Sequence, residues 1–204
     1  MFITDTKKDK LHLTKITLSD GSEVLIDNEV CYEKCLKVGL EIEDEDLKDL
    51  IFESNYRRAK SRAIWYLDRS DHTEKALYEK LLRGGFPQRE SAKVIARLKE
   101  VGLLDDRRYA ENYANRLIDN NISKREALQK MLLKGVPYDM AKSVLQETET
   151  DELLQIKNII EKKYRAKLTL ENGVQKVYAA LVRKGFSYDA VKTALKTYIE
   201  ESEE

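Results

Sequence analysis

Asp105 and Asp106 are the adjacent carboxylates that this sequence offers as metal ligands or as a general acid and base. They directly follow Gly102-Leu103-Leu104 and precede Arg107. This is also the position of an N-cap followed by an acidic residue in the first helical turn, where negative charge stabilises the free N–H groups of the helix. We favour the capping role over catalysis.

Cys31 and Cys35 form the second candidate pair, because a helix from Asn28 to the capping Gly39 would place them one turn apart. Such a pair can hold a metal ion or form a redox couple. The histidines, His12 and His72, are distant in sequence and supply no further ligands. We therefore favour two buried free cysteines in a reducing compartment.

The common signatures of catalysis and cofactor binding are missing from the sequence. It contains no glycine-rich phosphate loop with its lysine, no dinucleotide fingerprint after a strand and no histidine pair at metal-ligand spacing. We predict that the protein is not an enzyme and uses no cofactor or metal.

Composition favours solvated helices. Charged residues make up 36% of the 204 residues, whereas the chain has only 8 glycines and 2 prolines. It has no apolar run long enough to span a membrane and no export signal at Met1, so we expect a cytoplasmic protein without a membrane partner.

The zero net charge hides an uneven distribution. Residues 1–55 carry a net charge of −7, residues 56–145 carry +8, and residues 146–204 carry −1. A local excess of positive charge can neutralise phosphates by counterion release. The alternative is a solvated helical surface whose charge only keeps the protein soluble.

Ten basic side chains of the middle segment are candidates for a binding face that contacts phosphates. They are Arg57, Arg58, Arg62, Arg89, Lys93, Arg97, Arg107, Arg108, Lys124 and Arg125. Arg89, Lys93 and Arg97 recur every four residues and should form one ridge on a helix. The alternative is pairing with the neighbouring Glu90, Glu100 or Glu111, where each surface pair contributes little.

Four tyrosines offer rings that can stack on nucleic-acid bases. They are Tyr109, Tyr113, Tyr138 and Tyr188. Their helical spacing with leucine and alanine favours packing in a core or between repeats.

A repeat must position these residues. Gly85, Gly135 and Gly185 stand 50 residues apart, and each ends a segment with apolar residues four, three, eight and seven positions earlier. This spacing gives one face of a helix, and glycine allows the left-handed conformation that ends it. The apolar residue after each glycine should fold back onto the last turn. Each repeat is therefore predicted to be a helix, a glycine turn and a helix.

The segment before the repeats has a different pattern. Residues 1–10 are expected to be a frayed terminus, and the Asp20-Gly21 pair between two alternating runs predicts a β-hairpin. A helix begins at Asp44, and the pattern leaves open whether it continues into the helix that contains Tyr56.

We predict a mainly α protein with nine helices from Tyr56 onward, arranged as tandem three-helix repeats in an elongated, curved body. The predicted domains are a β-hairpin with an acidic helical extension at residues 1–55, and repeats at residues 56–104, 105–150 and 151–204, the last with an acidic tail. Asp71 with Glu74, and Ser123 with Glu126, are predicted capping boxes for the helices that end at the first two glycine turns.

Three segments of the repeat region resemble a known protein family. Leu77–Phe86, Gly102–Ala110 and Leu128–Val136 are similar to the RecX regulatory proteins, bacterial modulators of the RecA recombinase. The most specific element is G-x-L-D-D-x-x-[FY]-A. The chain departs from the family pattern at Ala76, where glutamate is usual, and at Gly84, which replaces the lysine of a Lys-Gly turn. The resemblance covers about residues 56 to 200, and the first 55 residues look like the extension of the longer members.

The resemblance implies a function in DNA repair, homologous recombination and the SOS response. Such proteins bind RecA filaments on DNA and inhibit ATP hydrolysis, strand exchange and filament extension. A monomer is expected, with RecA and DNA as partners. The residues by themselves leave two alternatives open, a helical adaptor for an unrelated protein and a direct binder of single-stranded nucleic acid.

Overall fold

The computed structural model describes residues 1–9 and 12–203, and the side chains of residues 1–9 and 12–200. The chain forms two compact units, Met1–Leu104 and Asp105–Glu204. Each unit has its own apolar cores.

The first unit begins with a three-stranded antiparallel sheet. Its strands are β1 (Ile3–Lys8), β2 (Leu13–Leu18) and β3 (Glu23–Asp27), in the order β1-β2-β3. The β2–β3 hairpin predicted from Asp20-Gly21 is confirmed, with Gly21 at a φ of 85°. The frayed terminus is wrong for residues 3–8, because pairing with β2 and burial of Ile3 hold this polar strand in place. Residues 10 and 11 lie outside the described part of the chain.

The sheet packs on two helices, α1 (Asn28–Glu33) and α2 (Asp44–Leu67). One core joins them, formed by Ile3, Ile16, Leu18, Ile26, Val30 and Ile42. Helix α2 starts at Asp44 as predicted and runs without a break through residues 55 and 56. The buried hydroxyl of Ser54 accepts a hydrogen bond of 2.8 Å from the Asp27 N–H, so α2 is fixed directly to the end of β3.

Helices α3 (Glu74–Arg83) and α4 (Gln88–Glu100) pack on the second half of α2. Their apolar core contains Ala59, Ala63, Leu77, Leu81, Val94, Ile95, Leu98 and Leu104. The predicted Asp71–Glu74 capping box is wrong. Thr73 caps α3, and its hydroxyl accepts a hydrogen bond of 3.1 Å from the Ala76 N–H.

The three glycine turns have the same geometry. Gly85, Gly135 and Gly185 have φ angles of 82°, 88° and 90°. At each turn the next residue donates its N–H to the carbonyl five positions earlier, as from Phe86 to Leu81 at 3.2 Å. This pattern is a Schellman motif, and it satisfies carbonyls that the helix end leaves free. The predicted turns are confirmed, and Phe86, Val136 and Phe186 each pack against an apolar core.

The second unit contains two further sets of helices. The first set is α5 (Asp106–Asp119), α6 (Lys124–Leu133) and α7 (Tyr138–Glu147), around Met131 and Val144. The second set is α8 (Glu152–Ile159), a π-helical turn (Ile160–Tyr164), α9 (Arg165–Leu168), α10 (Gly173–Arg183) and α11 (Tyr188–Glu203), around Ile156 and Leu181.

Two buried polar side chains connect these sets. The Gln155 amide donates a hydrogen bond of 2.8 Å to the Ile118 carbonyl at the end of α5. The Ser123 hydroxyl caps α6 as predicted, accepting from the Glu126 N–H, and donates to the Lys184 carbonyl at 2.5 Å. The end of α10 therefore lies against the start of α6.

The predicted fold class is confirmed, since the chain is mainly helical with a small sheet near its N-terminus. The division into repeats at residues 56–104, 105–150 and 151–204 stays a prediction. None of the described helices has the length and apolar character that a membrane crossing requires.

Candidate functional site

Asp105 is the N-cap of α5. Its Oδ1 accepts hydrogen bonds from the N–H groups of Arg107 at 2.9 Å and Arg108 at 3.0 Å. The hydrogen bond from the Arg108 N–H is the main cause that lowers the pKa of Asp105 below its ordinary value of 3.8, followed by the one from Arg107. Asp106 is the acidic residue of the first turn and is buried. The predicted capping role of the pair is confirmed.

The lowered pKa of Asp105 gives a pH dependence with a defined sign. A carboxyl group with a lower pKa in the folded state stabilises the fold above its unfolded pKa, and this contribution is lost as the pH falls through the folded pKa. We expect Asp105→Asn, which keeps a capping oxygen but does not titrate, to be less stable than the parent at neutral pH. The difference in the free energy of unfolding between the parent and Asp105→Asn should become smaller below pH 3.8. Urea unfolding across this range measures it, and a difference that is constant with pH would contradict the assignment.

The two cysteines do not form a pair on a helix. Helix α1 ends at Glu33, and Cys35 lies beyond it with a φ of 52°. Both thiols are free, with Cys31 half-buried and Cys35 exposed, so the prediction of two buried cysteines is wrong for Cys35. Burial raises the pKa of Cys31. Among the side chains of residues 1–9 and 12–200, no three of the His, Cys, Asp and Glu types are grouped as metal ligands.

Arg57 is held by carboxylates of the N-terminal extension. Its guanidinium donates to Glu29 at 3.0 Å and to both oxygens of Glu33, at 3.0 and 2.8 Å. These hydrogen bonds, with the one to Glu33 largest, raise the pKa of Arg57, and the same contact lowers that of Glu33. Arg57 thus joins α1 to α2, and this contact occupies the fork that a phosphate would need.

Arg58 and Arg62 lie over aromatic rings of the first unit. The Arg58 guanidinium is 5.8 Å from the centre of the Phe86 ring, and that of Arg62 is 5.3 Å from the Trp65 ring. Arg69 lies closer to Trp65, at 3.5 Å. A cation over an aromatic face is attracted by the negative potential of the ring. Such a contact leaves the N–H groups at the edge of the guanidinium plane free to meet an acceptor.

The predicted ridge of Arg89, Lys93 and Arg97 lies on the exposed face of α4. Arg89 and Lys93 are each 4.8 Å from the Phe52 ring of α2. Arg97 pairs with Glu100 at 3.1 Å, as the alternative interpretation expected. The ridge therefore presents two cations above an aromatic surface and a third in an exposed ion pair, which contributes little to stability.

The other candidates belong to the second unit. Arg107 pairs with Glu111 at 2.8 Å and with Glu147 at 2.7 Å. The Lys124 ammonium donates to the Thr148 carbonyl at 2.8 Å. Arg108 and Arg125 are exposed. Structural contacts therefore engage Arg107 and Lys124 in this unit, as they engage Arg57 in the first.

The packing prediction for the tyrosines holds for only two of them. Tyr109 and Tyr113 are half-buried against the α5–α7 core, with their ring centres 5.8 Å apart. Tyr138 and Tyr188 are 53% and 67% exposed, so the prediction is wrong for these two. Each stands at the first position of its helix, where the side chain points away from the core.

The aromatic rings under the cations were missed from the sequence. They are Phe52 and Tyr56, whose rings stack with centres 6.4 Å apart, and Trp65. A signal was present, because Phe52 and Tyr56 are four residues apart and Arg62, Trp65 and Arg69 follow one another at intervals of three and four residues. The pairing of Phe52 with α4 has no such signal, since it depends on how α2 and α4 pack.

Two family models match this chain. Residues 59–98 match the model described as RecX, first three-helix domain, and residues 150–195 match RecX, third three-helix domain. The first segment lies within the first predicted repeat, and the second covers most of the third predicted repeat.

Proteins of similar sequence carry the name Regulatory protein RecX. That of Clostridium tetani is 29% identical over 202 residues, which cover 95% of this chain and 92% of the relative. That of Streptococcus gordonii is 27% identical over 201 residues, covering 97% and 77%.

Two solved structures show the same fold. A crystal structure of regulatory protein RecX has a TM-score of 0.70 and 21% identity, and covers 95% of this chain and 98% of its own. That of RecX from Lactobacillus salivarius has a TM-score of 0.63 and 22% identity, and covers 70% and 96%.

Proposed function

Because the chain belongs to the RecX family of regulatory proteins, we propose that it binds RecA recombinase filaments on DNA and inhibits them. Inhibition would lower ATP hydrolysis, strand exchange and filament extension. The protein acts as a monomer in the cytoplasm in this proposal, and it regulates homologous recombination and the SOS response without catalysing a reaction.

The exposed cations of the first unit support a contact with DNA. Arg89 and Lys93 are exposed, and their cationic groups lie over the Phe52 ring. An aromatic ring carries no countercharge, so this contact leaves the positive charge of both side chains available to a phosphate. Residues 56–145 carry an excess of eight positive charges. Cations on such a surface can release the counterions of phosphates, which favours binding to a filament that contains DNA.

The observation that carries the proposal is the length of the match. The relative from Clostridium tetani aligns with nearly the whole chain, from the sheet-bearing unit to the last helices. A match over nearly the whole chain supports a regulatory role more strongly than a match to a single three-helix segment would.

The test is the DNA-dependent ATPase activity of the cognate recombinase on single-stranded DNA while this protein is titrated in. We expect inhibition at amounts below one protein per recombinase subunit, because blocking one filament end affects many subunits. Unchanged ATP hydrolysis at equimolar protein would reject the proposal. Retention on DNA without inhibition would favour the direct binder of single-stranded nucleic acid.

The ridge on α4 gives a second test. We expect Arg89→Glu, Lys93→Glu and Arg97→Glu together to raise the half-inhibitory concentration by about tenfold, since each reversal removes one possible phosphate contact and adds repulsion. Helicity should be unchanged, because all three side chains are exposed.

The matched control carries the same change of charge in the second unit. Lys142, Lys176 and Lys192 are exposed lysines, and none of them belongs to the candidate surface. Replacing these three by glutamate should change potency much less. Equal effects in the two triple variants would mean that net charge, and not the ridge, determines inhibition.

A further inference from the structure

Arg58, Arg62 and Trp65 lie on one face of α2, and Arg69 continues this stripe in the turn directly after the last helical residue, Leu67. Their spacing of four, three and four residues keeps them within a narrow stripe along a helix with 3.6 residues per turn. The stripe differs from the buried face of the same helix, which contributes Ala59 and Ala63 to the core.

Trp65 is the only tryptophan of the chain, and 42% of its surface is exposed. The neighbouring Tyr66 packs against the core, whereas Trp65 does not belong to that core. Arg69 also donates a hydrogen bond of 3.3 Å to the Trp65 carbonyl, which fixes the guanidinium near the indole. A large ring is thus kept at the surface with a guanidinium 3.5 Å from its centre and a second one at 5.3 Å.

This combination matches the chemistry of a single nucleic-acid strand. An indole face stacks on any base, a guanidinium plane adds a second stacking surface, and positive charge attracts the adjacent phosphates. In a duplex the faces of the bases are covered by their neighbours, so the site would discriminate against paired DNA.

We propose that the α2 stripe is a base-stacking site for single-stranded nucleic acid, with Trp65 as the ring that contacts a base and Arg62 and Arg69 as the groups that orient it and bind phosphate. The inference rests on the proposed function only in that this function brings the protein to DNA. It adds a direct contact with a base, which neither the cationic ridge nor a contact with recombinase alone requires.

Another exposed aromatic residue shows why exposure alone does not make such a site. Tyr32 is 85% exposed, but it lies on α1 between Glu29 and Glu33, which repel phosphate. Tyr32 therefore offers a matched control in the same unit.

The first experiment uses the intrinsic fluorescence of Trp65 in the full-length protein, without recombinase. A thymidine oligonucleotide should quench the emission, because a stacked base lies within contact of the indole. An abasic strand of equal length carries the same phosphates and should bind about tenfold more weakly without quenching. Equal binding and equal fluorescence change with both strands would overturn the proposal.

The second experiment measures the anisotropy of a labelled thymidine oligonucleotide. We expect Trp65→Ala to weaken binding about tenfold with an unchanged salt dependence, because the variant loses stacking and keeps the cations. Trp65→Phe should recover part of the affinity, and Tyr32→Ala should bind as the parent does. A Trp65→Ala variant with parental affinity for the oligonucleotide would reject the site.

Failure of the stacking site and failure of the proposed function can be told apart. Inhibition of the recombinase is measured in an ATPase assay, whereas both binding experiments omit the recombinase. Inhibition by the parent with no quenching by DNA would reject only the stacking site, and quenching without inhibition would reject only the regulatory function.

Discussion

Gly185→Ala should destabilise the second unit by about 3 kcal/mol. Gly185 has a φ of 90°, where a side chain costs about 1–2 kcal/mol. An added Cβ would also lie 2.8 Å from the Ser123 hydroxyl and 2.9 Å from the Arg125 Cβ. Relieving this overlap costs about 1–3 kcal/mol, because the start of α6 would have to move and Ser123 would lose its hydrogen bond to Lys184.

Gly85 is the matched control for this prediction. It has the same role in its turn and a φ of 82°, but a Cβ added there would meet no atom within 4 Å. Gly85→Ala should therefore cost only the backbone term of about 1–2 kcal/mol. Urea unfolding followed by far-UV circular dichroism measures both variants, and equal losses would contradict the close contact at Gly185.

Met131→Ala is the second substitution with a large expected effect, about 2–5 kcal/mol. The Met131 side chain is fully buried in the α5–α7 core, where it packs among residues such as Ala127 and Val144. Truncation removes apolar contacts and leaves a cavity that the surrounding helices fill only in part. The same urea unfolding measurement gives the loss in free energy.

Leu133→Ala tests whether burial, and not the deletion of an apolar side chain, causes this loss. Leu133 lies two residues later in α6 and is 86% exposed. Its replacement should change the free energy of unfolding by less than about 0.5 kcal/mol. A similar loss for the two variants would mean that α6 faces a different direction from the one described.

The pattern of the sequence is sufficient for the local structure of the repeats. The glycine turns, the caps at Asp105 and Ser123 and the start of α2 depend on residues a few positions apart, so spacing alone predicts them. The cap of α3 shows the limit, because Asp71 and Thr73 are both good capping residues and the structure selects Thr73.

Contacts between distant residues account for the errors. Strand β1 is polar and has little intrinsic signal, and it is ordered because β2 supplies its hydrogen bonds and the core accepts Ile3. Cys35 is exposed because α1 ends early, with a left-handed residue in place of another helical turn.

The sequence by itself determined that this protein is a chain of short amphipathic helices with a cationic middle and a family resemblance. Only the tertiary structure decided which cations are available. Arg57 is held by Glu29 and Glu33, whereas Arg62 and Arg69 lie beside an exposed indole. The reason is physical: the groups within a few ångströms decide whether a cation is paired, and helix packing brings together carboxylates and rings that are far apart in sequence.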